Sequence, residues 1–503
     1  MPTLGPPRVR ESFMRSKTFR PYDQDSLLLL PPSLHDWVDP DGLAAFLSDL
    51  VDELDLGPFL AAHDEPRGMP PYHPRMMLKV LLYGYASGIT SSRRIEARLG
   101  SDIGFMFLAG LARPDHKTIA EFRRRHLAAF RALFLDVLHL CERAGLVKLG
   151  RIAIDGTKLK ANASVHKAMS YARMVEQEAR LAAEVQALLD EAEALDAAED
   201  ARFGDARGDE LPDELRRRET RLARIREAKA ALEAEARERA GDPAAVPEAK
   251  AQRNFTDPDS RIMLSKPDGF IYGYNAQAAV DDAHQVIVAT SLDASATDTG
   301  ALPAVVDQIE ANTGRRPKKV LADAGYASDD NLAHLEARGI DAYIATRRER
   351  HGPARAPAAP RGRIPAGLSR QGRMTRKLRT KRGRAIYRRR KAIVEPVFGQ
   401  IKEARGFRRF RLRGLAKASA EWQLVCAVHN LGKLFGAARV GQGPGRDGGR
   451  ARRLSRWPTG RRLVAGATQL LCGLRPWLAA LLTPGWSHLG TGPLRGAITD
   501  AGS

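Results

Sequence analysis

Apolar residues recur at helical spacing through the first third of the chain. Between Pro40 and Leu60, the residues Leu43, Phe46, Leu47, Leu50, Val51 and Leu54 share one face of a 3.6-residue period and predict a packing helix. Beyond a loop punctuated by Pro66, Pro70, Pro71 and Pro74, a second apolar helix is predicted from about Arg75 to Ala86. A third spans Ser91 to Leu99, with Ser91 or Ser92 as its cap. Asp102 to Leu111 follows, then the break Ala112-Arg113-Pro114-Asp115, then Lys117 to Cys141 with Ile119, Phe122, Phe130, Leu133, Phe134 and Val137 on its apolar face. Lys117 starts that helix, and Arg123, Arg124 and Arg125 fall on or near its exposed side. Short helices, a tight turn and a basic helix make the order of a helix-turn-helix, whose second helix enters the DNA major groove. Any helical domain can also carry three arginines on its surface.

The period changes at Gly150. Arg151-Ile152-Ala153-Ile154-Asp155-Gly156 predicts a short buried strand ended by Asp155, with Gly156 supplying a turn. From about Val165 to Ala240 the composition shifts to Ala, Glu, Arg and Leu, in two helical runs around the breaker Phe203 to Gly208. Leu215, Leu222, Ile225 and Leu232 take heptad-like positions interrupted by Lys229, which predicts an antiparallel hairpin inserted over 165–250. Strands return at Phe270 to Val280 and Gln285 to Leu292, joined through the turn Asp281-Asp282-Ala283-His284. Thr297 or Asp298 caps a helix through Ile309. Lys318 to Leu321 is a strand ended by Asp323-Ala324-Gly325-Tyr326, Asp329 to Ala337 a helix, and Asp341 to Ala345 a last strand. Residues 347–384, rich in Arg, Pro and Gly, predict a basic loop. A helix carrying Glu395 follows, then Gly414 to Phe435 with Trp422, Leu424, Val425, Val428, Leu431 and Leu434 on a packing face. Residues 436–503 show no period and read as a disordered tail.

Charge narrows the functional class. The 81 Lys and Arg residues against 60 Asp and Glu leave a net charge of +21, the footprint of a nucleic-acid partner. The excess is steepest from Arg373 to Arg413, where seventeen basic side chains face two carboxylates, Glu395 and Glu403. A membrane surface attracts the same charge, but Met1 to Asp23 holds no apolar signal core. The one long apolar stretch, Leu463 to Leu482, is interrupted by Gln469, Arg475 and Pro476. A cytoplasmic, nucleoid-associated protein is therefore expected. Cys141, Cys426 and Cys472 are far apart and form no Cys-x-x-Cys spacing, which argues against a disulfide framework or a zinc site. His284 and His429 have no companions at ligand spacing and read as structural.

Candidate chemistry lies in three carboxylates. Glu395 and Lys402 stand seven residues apart on one helical face; taken alone, this segment is a solvated basic helix in which Glu395 pairs with Lys391 or Lys402. Asp155 and Asp323, each ending an apolar run, change that reading. The order strand, insertion, strand, strand, helix, strand, helix, strand, loop, helix matches an α/β fold of ribonuclease H-like type, a mixed sheet flanked by helices, behind an all-α segment over 1–149. In that topology the first and fourth strands are adjacent and the last helix packs beside them, so Asp155, Asp323 and Glu395 are expected to converge. Such oxygen donors suit two hard cations, Mg²⁺ or Mn²⁺, serving in-line displacement at a phosphodiester.

Three motifs stand in order: Ile154-Asp155-Gly156-Thr157-Lys158, Leu321-Ala322-Asp323-Ala324-Gly325-Tyr326 and Val394-Glu395-Pro396-Val397-Phe398-Gly399. Together with Phe407 to Gly414 and His429-Asn430-Leu431, they resemble the insertion-sequence DDE transposases over roughly Pro71 to Phe435. The resemblance implies a catalytic domain over 150–435 with Asp155, Asp323 and Glu395 as catalytic metal ligands. It also implies a Tyr, an Arg and a Lys around the Glu: Lys402 falls at the usual distance, Tyr387 and Arg390 fit each other, and either Arg390 or Lys391 takes the arginine's place. The implied activity is hydrolysis at element ends by metal-activated water, then attack of the freed 3′-hydroxyl on target DNA. Lys402 would contact a terminal phosphate, Tyr387 and Arg390 would hold the end, and the assembled complex would be a homo-oligomer on double-stranded DNA. A nuclease of the same fold that cuts without joining, and a silent repressor of element ends, are the rivals. Pro396 lacks an amide donor, so the helix is expected to begin near Glu395 or to kink there.

Overall fold

The computed structural model describes residues 33–62, 71–203, 213–265, 268–347 and 358–442. Seven helices open it: α1 (Leu43–Glu53), α2 (Gly57–Leu60), α3 (Pro74–Ala86), α4 (Ser92–Arg98), α5 (Ile103–Ala109), α6 (His116–Arg125) and α7 (Leu127–Arg143). Their ends follow local chemistry. Pro74 opens α3 within its first turn, where a missing amide costs nothing; the Asp102 carboxylate caps α5 and Gly110 closes it in the left-handed region at φ 57°. The single helix expected over Lys117 to Cys141 is in fact two, because His126 leaves helical geometry at φ −102°, ψ 35°. The amphipathic stretch from Pro40 is likewise split between α1 and α2.

The sheet forms from β1 (Ile152–Lys160), β4 (Arg261–Ser265), β5 (Gly269–Asp281), β6 (Ile287–Asp293), β7 (Lys319–Ala322) and β8 (Asp341–Ile344); β2 (Ala168–Ser170) and β3 (Gln252–Asn254) pair separately. The order runs β4-β5-β1-β7-β8, with β6 also on β5. β1, β5 and β6 are antiparallel neighbours, whereas β7 and β8 run parallel to β1. Buried on nearly every residue, β5 pairs with three strands, β1, β4 and β6. β1 corrects an expectation: it does not end at Asp155 but runs on to Lys160, and Gly156 is a strand residue opposite Gln277 rather than a turn. The antiparallel partner β5 carries the ladder past the point where the parallel pairing with β7 stops, at Ala153 opposite Leu321.

Between β2 and β3, α8 (Tyr171–Phe203) and α9 (Asp213–Ala240) form the expected antiparallel hairpin. Met174, Leu181, Leu222, Ile225 and Leu232 bury a small core of its own, and Lys229, the break in the apolar seam, pairs with Glu178 at 2.8 Å. Against the sheet pack α10 (Ala301–Thr313), α13 (Lys381–Gly399) and α14 (Leu415–Gln442), with α11 (Asp329–Ala337) and α12 (Arg370–Arg379) at its β8 end. Two further corrections fall here. The basic stretch of 347–384 is a loop only in part: α12 and the first turn of α13 occupy its end, because Met374 is buried, Lys377 pairs with Asp341, and Arg370 pairs with Glu336. Residues 348–357 of that stretch lie outside the described residues. Residues 436–442, read as tail, continue α14, while 443–503, with Cys472 and the apolar Leu463 to Leu482, lie outside the described residues. Among the described residues no helix is long and apolar enough to cross a membrane.

One hydrophobic core runs from Ala44 in α1 through the sheet to Leu434 in α14. α14 joins the parts. It lies against α7, α3 and β6, its Trp422 indole donates to the Gln277 carbonyl at 3.0 Å, and its Asn430 side chain pairs with both backbone groups of Ile287 at 2.8 Å.

Candidate active site

The register of β1 and β7 brings two of the three acids together. Ala153 lies opposite Leu321 in the parallel ladder, so two residues further on Asp155 stands within β1 and Asp323 just past the end of β7. Asp323 caps the short turn Ala324–Tyr326, its Oδ1 accepting from the Gly325 amide at 2.8 Å. Asp155 accepts the Gly156 amide on Oδ1 at 2.9 Å and Arg390 Nη1 on Oδ2 at 2.7 Å. Burial pushes the Asp155 carboxyl up to about 6; the Arg390 guanidinium pulls the other way, and the neighbouring Asp323 adds to the rise.

α13 lies over β1, β5, β7 and β8 and presents Arg390, Ile393, Val394 and Val397 as its buried face. Arg390, not Lys391, meets Asp155; Lys391 is exposed. Arg390 is itself 8% exposed, and its Nε is buried without an acceptor. Lys402 reaches Thr157 Oγ1 at 3.1 Å, and burial, reinforced by the Arg408 charge, lowers its pKa. Tyr387 is half-buried beside the core. Glu395 is on the same helix but exposed, and it forms no hydrogen bond or ion pair among the described residues. The expected meeting of three carboxylates is thus a meeting of two, with Arg390 as the charge that faces Asp155. A third carboxylate brought against that pair would be repelled by both.

The helix does not begin near Glu395. It starts at Lys381, capped by the Thr380 hydroxyl, and keeps Pro396 inside. The carbonyl of Ala392, which loses its helical donor to the proline, instead accepts Gln285 Nε2 at 3.0 Å. Departure from α geometry comes four residues later, as a π-helical turn over Gln400–Ala404.

The basic helix α6 needs one correction. Lys117, Arg124 and Arg125 are exposed, Arg124 pairing with Glu121 at 2.7 Å. Arg123 is 4% exposed and faces inward, donating to the Tyr85 hydroxyl at 3.2 Å, the Thr90 carbonyl at 2.8 Å and the Ser92 hydroxyl, so it is no surface contact. Its position four residues after the buried Ile119 was the signal that placed it on the packing face. The expected structural role of His429 fits its surroundings: it is fully buried with Nε2 against the Gln285 carbonyl.

Residues 250–431 match the family model of the transposase DDE domain, and residues 32–125 match that of a transposase domain numbered DUF772. The chain belongs to the insertion-sequence DDE transposases. In this transposase the first match takes in Asp323, Glu395 and Lys402 and begins downstream of Asp155, while the second ends at Arg125, the last residue of α6. No curated protein and no solved structure matches the chain. A transposase of this family binds DNA and uses divalent metal ions. The donors fit such an ion in kind, since Asp155, Asp323 and Glu395 offer only carboxylate oxygen while Cys141 and Cys426 are buried thiols. Among the described residues no three Asp, Glu, His or Cys side chains are gathered tightly enough to hold one.

Proposed function

We propose that the transposase cuts the ends of its element and joins the freed 3′ ends to target DNA on a ribonuclease H-like catalytic core. The observation that carries this reading is the position of Asp155 on β1 and of Asp323 just past the end of its parallel neighbour β7, with the Glu395 helix packed over both strands. The strand order supports the fold assignment: three antiparallel strands β6, β5 and β1, then two parallel to β1. We read 1–149 as the DNA-binding helices, 150–435 as the catalytic part and 165–250 as its inserted hairpin.

Asp155, Asp323 and Glu395 would hold Mg²⁺ or Mn²⁺, two ions, which when bound supply an activated water and stabilise the departing oxygen. The chain's other groups place the DNA. Arg390, with one nitrogen on Asp155 and its Nε without an acceptor, is suited to exchange the carboxylate for a phosphate oxygen. Lys402, held beside β1 by Thr157, contacts the terminal phosphate, and Tyr387 steadies the end. In the first step a water oxygen bonds to phosphorus and the 3′-oxygen leaves, taking up a proton. In the second that 3′-hydroxyl attacks a target phosphodiester, its proton leaves, and the target's own 3′-oxygen is displaced. No covalent protein intermediate is required. Lys117, Arg124 and Arg125 add sequence-independent phosphate contacts, which makes binding steeply salt-dependent. The working complex is a homo-oligomer.

The test incubates labelled element ends and a target plasmid with Mg²⁺ and either wild type or Asp155→Asn. Joined products that vanish in the variant while end-binding persists support the proposal. Cleavage without joining points to a nuclease, and binding without metal-dependent chemistry to a repressor.

A further inference from the structure

One carboxylate beside the two aspartates has no part in the reading above. Asp298 lies between β6 and α10, where the sequence suggests a helix cap, yet α10 has Gly300 at its N-cap and no side-chain cap bond. Asp298 turns inward instead. Its Oδ1 accepts Asn275 Nδ2 at 2.7 Å, Gln277 Nε2 at 3.0 Å and Lys158 Nζ at 3.4 Å. Asn275 and Gln277 share one face of β5, opposite Lys158 and Gly156 of β1.

Two glycines admit this carboxylate. A Cβ on Gly156 would stand 2.7 Å from Asp298 Oδ1 and 2.5 Å from Gln277 Nε2, closer than atoms tolerate. A Cβ on Gly325 would stand 3.1 Å from Asp298 Oδ2 and 3.0 Å from Asp323 Oδ1, so carboxylate oxygens of both aspartates flank the same glycine. The loop is tied to the Asp323 turn: Thr299 Oγ1 donates to the Gly325 carbonyl at 2.8 Å, and Asn331 Nδ2 donates to the Thr299 carbonyl at 2.7 Å. Tyr326 closes the circuit by donating its hydroxyl to Gln277 Oε1.

A second observation points to a cation. Asn275 is fully buried, and its Oδ1 has no donor although it lies 2.9 Å from the Gly156 Cβ position. Its amide orientation is fixed, because a flip would set oxygen against the Asp298 carboxylate. An orphaned carbonyl oxygen and carboxylate oxygens around two glycines make a locally electron-rich pocket, where a positive ion is favoured.

We propose that Asp298 is a fourth acidic residue of the divalent-metal site, a positioning residue that braces the Asp155 and Asp323 segments and deepens the negative potential between them, with Lys158 as the charge that tempers it. The inference rests on the metal-ligand reading of Asp155 and Asp323. It is tested on the full chain without DNA by titrating Mn²⁺ and following the free ion by electron paramagnetic resonance, with a melting curve for each variant. Asp155→Asn should lose most binding. Asp298→Asn, which keeps shape but drops charge, should weaken binding by about tenfold with a melting temperature close to wild type, and Lys158→Gln should tighten it a few-fold. If Asp298→Asn and Lys158→Gln both bind Mn²⁺ as wild type does while Asp155→Asn is impaired, the inference is overturned and the metal reading stands. If Asp155→Asn also binds normally, the metal reading falls and the inference with it. Should Asp298→Asn fail to fold, Lys158→Gln decides alone, and unchanged affinity overturns the proposal.

Discussion

Two influences on Asp155 oppose each other. Burial raises its carboxyl and the Arg390 guanidinium lowers it, and burial pulls harder, lifting the group to about 6. A carboxyl with a folded pKa above its unfolded one binds more protons in the native state. Its contribution to stability is complete below about pH 4 and is lost as pH rises through 6. Asp155→Asn, permanently neutral, should therefore melt above wild type at pH 8 in the absence of divalent metal, by at most about 3 kcal/mol, and the gap should close at pH 4. Equal melting curves at both values would show that Arg390 already compensates the burial. What the sequence displayed here was residue type and spacing. What it hid was partner choice: nothing in Arg388-Arg389-Arg390-Lys391 distinguishes the one cation that turns inward, which only the phase of α13 on the sheet decides.

At the scale of elements, legibility followed the origin of the constraint. Helices with their own apolar period and caps, such as α11 and α5, stand close to where pattern alone puts them. Elements that owe their extent to a neighbour do not: β1 outruns Asp155 because β5 pairs with it, β4 escaped notice because its partner supplies its register, and α12 forms in an Arg-rich stretch because Met374 and Lys377 find β8. Pro396 shows the same dependence. Its missing amide strands the Ala392 carbonyl, and the repair comes from Gln285, a residue of the β5–β6 turn that also holds His429 through its carbonyl and Lys433 through Oε1 at 3.0 Å. One side chain thus fastens α13 to α14. Gln285→Ala should cost about 1 to 2 kcal/mol in the wild-type background. In a Pro396→Ala background, where the helix regains its own donor, the same change should cost measurably less. A double-mutant cycle by urea denaturation reads the difference, and strict additivity would mean that the glutamine does not compensate for the proline.

Across the whole molecule, the succession of β1, β5, β6, β7 and β8 and the three motifs were readable from the chain, whereas β2, β3 and β4 and the joint between the first helices and the sheet were not, the joint because it depends on residues more than three hundred positions apart. Glu421 in α14 is 1% exposed; its Oε1 accepts the Tyr85 hydroxyl at 2.7 Å, and its Oε2 accepts the amides of Arg411 and Leu412 at 2.8 and 3.0 Å. Arg123 of α6 donates to the same Tyr85 hydroxyl, so one buried anion and one buried cation share a tyrosine between the helical segment and the last helix. Removing one member of such a set leaves the other charge in a poorly solvating interior, at a cost of about 3 to 5 kcal/mol. Glu421→Gln should therefore lower the unfolding midpoint strongly, and Arg123→Met should do so too, without altering the slope of DNA affinity against salt, since Arg123 is buried with its guanidinium turned to Tyr85, Thr90 and Ser92. Because a single core runs from α1 to α14, the loss should appear in the α3–α7 helices and in β5 together when amide exchange is followed by mass spectrometry. Faster exchange confined to the helices, with β5 as protected as before, would show instead that they open on their own and that the shared tyrosine does not couple them to the sheet.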